Sequence, residues 1–252
     1  MITTIEIKEH RDDVFQVGSG KTKILILGSC RTVPYLNYLN RYNVMNGDPF
    51  TIYVIEPNNW SWDLNDNPVD RDAAIAALET NERILSIIRD TDIFIHEWYE
   101  SFGMFNTNRD QEKNIYQFNM APAMDILIPN FHDRFILEHD YTACGIPTPN
   151  DYIKRGEDAV DGFRNVCLQS SFPEFGDVFF DTWRDVRYFW RPNHVSASFT
   201  LFLFRRMNSR FLHLNLSDEW MDGARKEDLF KEPHTHITQR DIEGYGLKWL
   251  IE

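Results

Sequence analysis

Cysteine is scarce: Cys30, Cys144 and Cys167 are the only three in 252 residues. An odd count without a CxxC spacing indicates neither a disulfide framework nor a cysteine zinc site, and a reducing, cytoplasmic compartment is the simplest expectation. Long apolar runs are missing too. Runs such as residues 24–27 and 199–204 fall far short of the roughly 20 residues that span a bilayer, so no membrane span is expected. Residues 1–10 are mixed polar and carry no signal-peptide core. Positive charge is in deficit, with 26 Lys and Arg against 39 Asp and Glu, a formal charge of −13. Neutralising phosphates needs the opposite surplus, which argues against a general duplex-DNA binder and leaves nucleic acid an unexpected partner. An anionic substrate would need a locally basic pocket. The glycine fingerprints of dinucleotide and P-loop proteins are also absent. The run Gly18-Ser19-Gly20-Lys21-Thr22 carries a GKT but lacks the earlier glycine and precedes a strand instead of following one.

What is present reads as one α/β domain, residues 1–252, near the size at which a single core stops growing. Residues 23–27, Lys-Ile-Leu-Ile-Leu, form a short buried strand ending at Gly28. Residues 32–42 place Val33, Leu36, Tyr38 and Leu39 near helical spacing, with Pro34 tolerated in the first turn. After a turn at residues 46–49 the strand signal returns over 50–56, completing a βαβ unit. Residues 70–89 then predict a helix with Ile75, Leu78, Ile84, Leu85 and Ile88 on its apolar side, followed by a third strand over 92–96. Strands alternating with helices predict a parallel, helix-covered sheet. Residues 126–129 and 134–137 are further extended candidates. Poor periodicity over 138–185 points to an insertion or lid, the apolar run 195–206 to a helix, and residues 208–252 to a C-terminal extension.

In an open parallel sheet ligands bind at the carboxyl ends of the strands, which singles out Gly28-Ser29-Cys30-Arg31. Gly28 permits a sharp turn, and the amides of Ser29, Cys30 and Arg31 are placed to donate to an anion at a helix N-terminus. Cys30 would present a thiol with a lowered pKa there, a nucleophile helped by Arg31 and a nearby His. The bland alternative is that Cys30 is one more small buried residue. A second candidate is Arg191-Pro192-Asn193-His194, ahead of the apolar helix: His194 would act as general base, while Asn193 caps the helix or holds the ring. His96, followed by Glu97, lies on the ligand edge of the sheet. His10, His132, His139 and His213 read as structural or surface residues. His234-Thr235-His236 lacks a third ligand and reads as surface, so no metal is expected. Asp63, Asp66, Asp70 and Asp72 read as solvated charge.

Several of these segments together resemble the WcbI-type capsular-polysaccharide biosynthesis proteins, a family regarded as acetyltransferases with a fold related to the SGNH hydrolases. Ile26-Leu27-Gly28-Ser29-Cys30-Arg31 resembles the family's opening Gly-Asn-Cys-Gln turn, and Thr91-Asp92-Ile93-Phe94-Ile95 its third strand. Ile128-Pro129-Asn130-Phe131 resembles a mid-chain Pro-Asn element, and Asn193-His194 the segment Asn-His-Pro-Ser before an apolar helix. Order and approximate spacing agree over residues 23–207. Ser29 and Arg31 replace the family's Asn and Gln, Val195 replaces a Pro, and His96-Glu97 stands where the family tends to Gln and Pro.

The resemblance implies a three-layer, SGNH-hydrolase-like sandwich and a cytoplasmic acyltransferase that acylates a carbohydrate hydroxyl from coenzyme A or acetyl-coenzyme A. It implies Cys30, His194 and Ser29 as catalytic residues. Gly28, Arg31, His96, Asn130, Asn193 and Arg191 would bind substrate or cofactor, with Arg31, Arg134, Arg205 or Arg206 on the donor's phosphates. Two alternatives stand beside it. One is a carbohydrate esterase, which admits water in place of the sugar hydroxyl. The other is a non-enzymatic domain that binds a sugar or a protein through Trp60, Trp62, Trp98 and Tyr99.

Overall fold

Four consecutive aliphatic side chains, Ile24, Leu25, Ile26 and Leu27, are all at most 4% exposed, so the strand that carries them is covered on both faces. That strand is the centre of the first half of the chain. The computed structural model describes residues 2–5, 14–28, 30–55, 82–97, 123–129, 149–191, 194–229, 231 and 238–248. The chain divides into two compact units, Met1–Leu127 and Ile128–Glu252.

In the first unit the elements run β1 (Ile2–Ile5), β2 (Val14–Val17), β3 (Thr22–Leu27), a 3-10 turn (Cys30–Thr32), α1 (Val33–Met45), β4 (Phe50–Ile55), α2 (Glu82–Arg89), β5 (Ile93–Glu97) and β6 (Met124–Ile128). They form one six-stranded sheet in the order β1-β2-β4-β3-β5-β6. β3 pairs parallel with β4 on one side and with β5 on the other. From β4 the chain crosses back over β3 to reach β5. Right-handed crossovers, the rule for parallel strands, then lay α1 and α2 on opposite faces, in keeping with the two-sided burial of β3.

The expected strands over 23–27, 50–56 and 92–96 are present, as is the extended segment 126–129. Of the expected helix 70–89, the described part is Glu82–Arg89, and the candidate strand 134–137 lies outside the described residues. The sheet is mixed, however, and not purely parallel: β2 runs antiparallel to β4, and β1 antiparallel to β2. Strands of four residues show only two side chains per face, too few for alternation to register in the sequence. The GKT run is a connecting turn. The Ser19 amide and hydroxyl both donate to the Asp48 carboxylate, at 2.8 and 3.0 Å, and neither faces a phosphate-binding helix. Asn43, buried at the end of α1, donates to the Phe50 carbonyl and accepts from the Phe50 amide at 2.9 and 3.0 Å, which fixes the start of β4.

The second unit carries α3 (Pro149–Leu168), α4 (Pro173–Thr182), a β7 (Phe189–Arg191) and β8 (His194–Val195) hairpin, and α5 (Ala197–Met207). A π-helical segment (Asn208–Leu212), α6 (Asp218–Lys226) and α7 (Gln239–Tyr245) follow. The stretch 138–185, irregular by periodicity, thus contains two helices. Phe163, Phe175 and Phe179 from them meet Phe199 of α5 and Tyr188 in a largely edge-to-face aromatic core. Aromatic rings fill wide arcs of a helix, so α4 buries its face with few side chains and shows no crisp 3.6-residue stripe. Among the described residues no helix is long and apolar enough to cross a membrane.

This unit buries groups that ionise at high pH. Burial, aided by nearby Tyr152, Asp241 and Glu157, pushes the Tyr245 phenol well above its ordinary 10.0. Burial likewise raises the Cys167 thiol above its ordinary 9.0, with Glu174 and Asp177 adding to it. Raised acids favour the folded state while they stay protonated, so their contribution is complete below the ordinary values and is lost as pH climbs past them. Urea stability is therefore expected to hold from pH 7 to about 9 and fall steadily above it. Tyr245→Phe loses the 2.9 Å bond to the Tyr152 carbonyl, about 1–3 kcal/mol at pH 7, but shows a shallower alkaline decline. An unchanged alkaline slope would refute this reading.

Candidate functional site

β3 leaves the sheet at Gly28, whose amide still donates to the Ile55 carbonyl at 3.1 Å. Two residues later the 3-10 turn Cys30–Thr32 begins, and it feeds directly into α1. The neighbouring strands β4 and β5 are reached by connections that depart in opposite directions, so the carboxyl ends of β3 and β5 flank the topological switch point of the sheet. A crevice at that place is where open α/β sheets bind ligands.

The switch point is tightly filled. A Cβ on Gly28 would lie 3.0 Å from Glu97 Cγ and 3.1 Å from Glu97 Cδ, and inside contact distance of Thr32 Cγ2. Glycine is required here because the Thr32 methyl and the Glu97 side chain crowd the space a Cβ would take. The Glu97 side chain is 3% exposed and that of Arg31 12%, with Arg31 Nε 3.9 Å from Glu97 Oε1. A carboxylate and a guanidinium drawn this far from water stabilise each other, and losing either strands the other. Beneath them Tyr35 and Tyr38 pack edge to face at 6.4 Å. Burial first, then Tyr38 and Glu97, hold the Tyr35 phenol well above its ordinary range.

His96 is the in-register partner of Leu27, so strand alternation puts it on the face opposite Glu97. Its ring stacks on Phe94 at 4.4 Å and 10°, and Nε2 lies 2.9 Å from Asp125 Oδ1. The ring is thereby fixed by an aromatic neighbour and a carboxylate from β6.

Of the residues singled out from sequence, Gly28 follows the end of β3, Cys30 and Arg31 lie in the 3-10 turn, and His96 is on the neighbouring strand β5. Cys30 opens the 3-10 turn, and its backbone is the part described. Ser29, Asn130 and Asn193 lie outside the described residues, as do Arg134, His234 and His236 and the aromatics Trp60, Trp62, Trp98 and Tyr99. Asp63, Asp66, Asp70 and Asp72 lie there too. In the second unit Arg191 and His194 are backbone partners across the β7–β8 hairpin, so His194 belongs to a strand and not to a helix-entry loop. The helix after it is capped by Ser196, whose hydroxyl accepts from the Phe199 amide, and not by Asn193. The Arg206 guanidinium lies over the Phe202 ring at 5.3 Å. Among the described residues no group of three His, Cys, Asp or Glu side chains is arranged to hold a metal ion.

No protein-family model matches the chain, and no curated protein matches it. A solved structure that it resembles is WcbI, described as a polysaccharide biosynthesis enzyme in its native form without a disulfide between coenzyme A and one of its cysteines. The likeness has a TM-score of 0.44 and 13% identity, and covers 79% of this chain and 71% of that one. It is too distant to transfer a property to this protein.

Three contributors, Glu97, Tyr35 and Asp125, have no role assigned to them by sequence. Glu97 was visible at the ligand edge of its strand, and its position alone nominates it. Tyr35 read as helix core, and nothing in its spacing shows that it lies near a buried carboxylate. Asp125 carries no local signal, since it becomes a partner of His96 only when β6 docks beside β5.

Proposed function

We propose that this protein is an acyltransferase that moves an acyl group, acetyl in the first instance, from a coenzyme A thioester to a carbohydrate hydroxyl in polysaccharide biosynthesis.

 The single observation that carries this reading is the switch-point turn, where Gly28 is cleared for a buried Glu97 paired with Arg31 and Cys30 opens the helix entry. Its place at the carboxyl edge of β3 agrees with the resemblance of that turn, in order with three other segments, to a family of sugar acetyltransferases.

In this reaction the Cys30 thiolate attacks the thioester carbonyl, forming a carbon–sulfur bond while the carbonyl becomes an oxyanion. Backbone amides at the start of α1 favour the thiolate and stabilise the oxyanion, the latter effect being worth about 2.7–4 kcal/mol per donor in well-studied enzymes. Collapse expels coenzyme A as its thiolate, which takes up a proton, and leaves the acyl group on Cys30. The sugar hydroxyl then attacks the new thioester as a base removes its proton, and Cys30 is released as the thiolate. Glu97 holds Arg31 at the turn, where its charge faces the anionic donor. The resemblance assigns the base to His194, and His194→Ala tests that assignment by itself.

Calorimetry with coenzyme A and acetyl-coenzyme A, on wild type and Cys30→Ala in parallel, tests the reading. Micromolar binding is expected, about −8 kcal/mol, together with acyl transfer from acetyl-coenzyme A to Cys30 in wild type alone, read as a mass increase of the intact protein. Absence of binding by either ligand would sink the proposal.

A further inference from the structure

The second unit contains a groove whose sign is opposite to that of the chain. It encloses about 350 Å³ between the end of α5 and α6, and it is lined by Arg205, Asn208, Leu216, Asp218, Met221 and Arg225. Two guanidinium groups against one carboxylate make a locally cationic lining on a protein of formal charge −13.

The walls are built. Asp218, Met221 and Arg225 recur at i, i+3 and i+7, which places them on one face of α6. Arg205 and Asn208, three apart, supply the other wall from the last turn of α5 and the π-helical segment. The Asn208 amide donates to the Leu214 carbonyl at 3.0 Å and accepts from the Leu214 amide at 2.6 Å, so the connection between the walls is fixed. Phe204 stacks on Trp220 at 5.3 Å and 21°, locking α5 to α6 behind the groove. Leu216 and Met221, half-buried, form an apolar strip between the charges.

The two arginines are available. Among the described residues none pairs with the Arg205 guanidinium. Arg225 meets Asp222 at 3.1 Å, but both side chains are more than half exposed, and an ion pair in water is easily exchanged for another acceptor. Guanidinium forks match phosphate and carboxylate oxygens in pairs. Asp218 repels an anion but accepts from hydroxyls, and the apolar strip suits a carbon skeleton.

We propose that this groove binds a sugar bearing one anionic group, a phosphate or a carboxylate, with Arg205 and Arg225 on the anion and Asp218 on the ring hydroxyls. The proposal does not rest on the acyl-transfer reading.

Glucose 6-phosphate, glucuronate, glucose and inorganic phosphate, titrated separately into the full chain and followed by calorimetry and by the Met221 methyl resonance, test it. The sugar phosphate or the uronate is expected to bind and to move Met221, and whichever binds tighter identifies the anion. Glucose and inorganic phosphate should each bind more weakly by roughly tenfold or more, because each lacks half of the contacts. Arg205→Gln and Arg225→Gln, both at exposed positions, should each lower affinity for the anionic sugar by a similar factor with unchanged thermal unfolding. Asp218→Asn should strengthen inorganic phosphate and narrow its gap to the sugar. No binding of either anionic sugar at millimolar concentration, phosphate binding as tightly as the sugar phosphate, or indifference to the arginine variants would each overturn the proposal.

Discussion

Phe179→Ala is expected to cost about 3–5 kcal/mol, the range for deleting a buried aromatic ring. Phe179 is 0% exposed, and its ring meets Phe163 at 4.8 Å, Tyr188 at 5.2 Å and Phe189 at 5.6 Å. These partners come from α3, from the segment after α4 and from β7, so the vacated space cannot be closed by one side chain turning inward. Phe180, the next residue along α4, supplies the control. It is 37% exposed and lies under the Arg164 guanidinium at 5.4 Å, so Phe180→Ala should cost only about 0.5–1 kcal/mol. Urea unfolding followed by fluorescence of the buried Trp183 and Trp220 reads both. Equal losses for the two variants would contradict the aromatic core described here.

That core shows where the sequence was readable and where it was not. β3, β4 and β5 announce themselves because strands buried on both faces are continuous aliphatic runs, and Ile24 to Leu27 need no partner to be recognised. α5 is legible for the same reason, through its apolar run. β1 and β2 are not, because four residues with two per face leave no pattern, and they owe their existence to the open edge of β4. α4 hides behind its own aromatics: Phe175 and Phe179 face the core, but Phe180 between them and solvent blurs the period.

At the site the turn itself was legible, since a glycine after a short apolar run is a local signal. The identity of what fills it was not. Glu97 reaches Gly28 from a strand about 70 residues away, and His96 meets Asp125 about 30 residues on. Such pairings arise from sheet order, which no spacing in the chain encodes. His194 shows the converse. A strong local cue, a His ahead of an apolar run, pointed to a helix-entry loop, yet Ser196 takes the capping role and His194 pairs with Arg191 in a hairpin.

Gly28→Ala tests whether the close fit at the switch point matters. The new methyl would sit 3.0 Å from Glu97 Cγ and closer still to Thr32 Cγ2. Thr32 is 1% exposed and Glu97 8%, so neither side chain has free space to enter. The expected cost is about 1–3 kcal/mol of stability, the usual penalty for overpacking. Displacing Glu97 also disturbs its pairing with Arg31, and under the acyl-transfer proposal a shift of about 1 Å in a positioned group is enough to lower turnover by about 100-fold. Gly47→Ala separates steric fit from backbone strain. Gly47 has φ +75° but nothing within 4 Å of an added Cβ, so alanine there should cost about 1–2 kcal/mol and leave the proposed coenzyme A binding unchanged. The decisive variant is Gly28→Ala combined with Thr32→Ser, which deletes the nearest methyl. If the clash is the cause, the double variant is more stable than the sum of the two single losses, with a coupling of about 0.5–3 kcal/mol. Strict additivity would mean that Gly28 acts through the flexibility of its backbone and not through the room it leaves for Thr32 and Glu97.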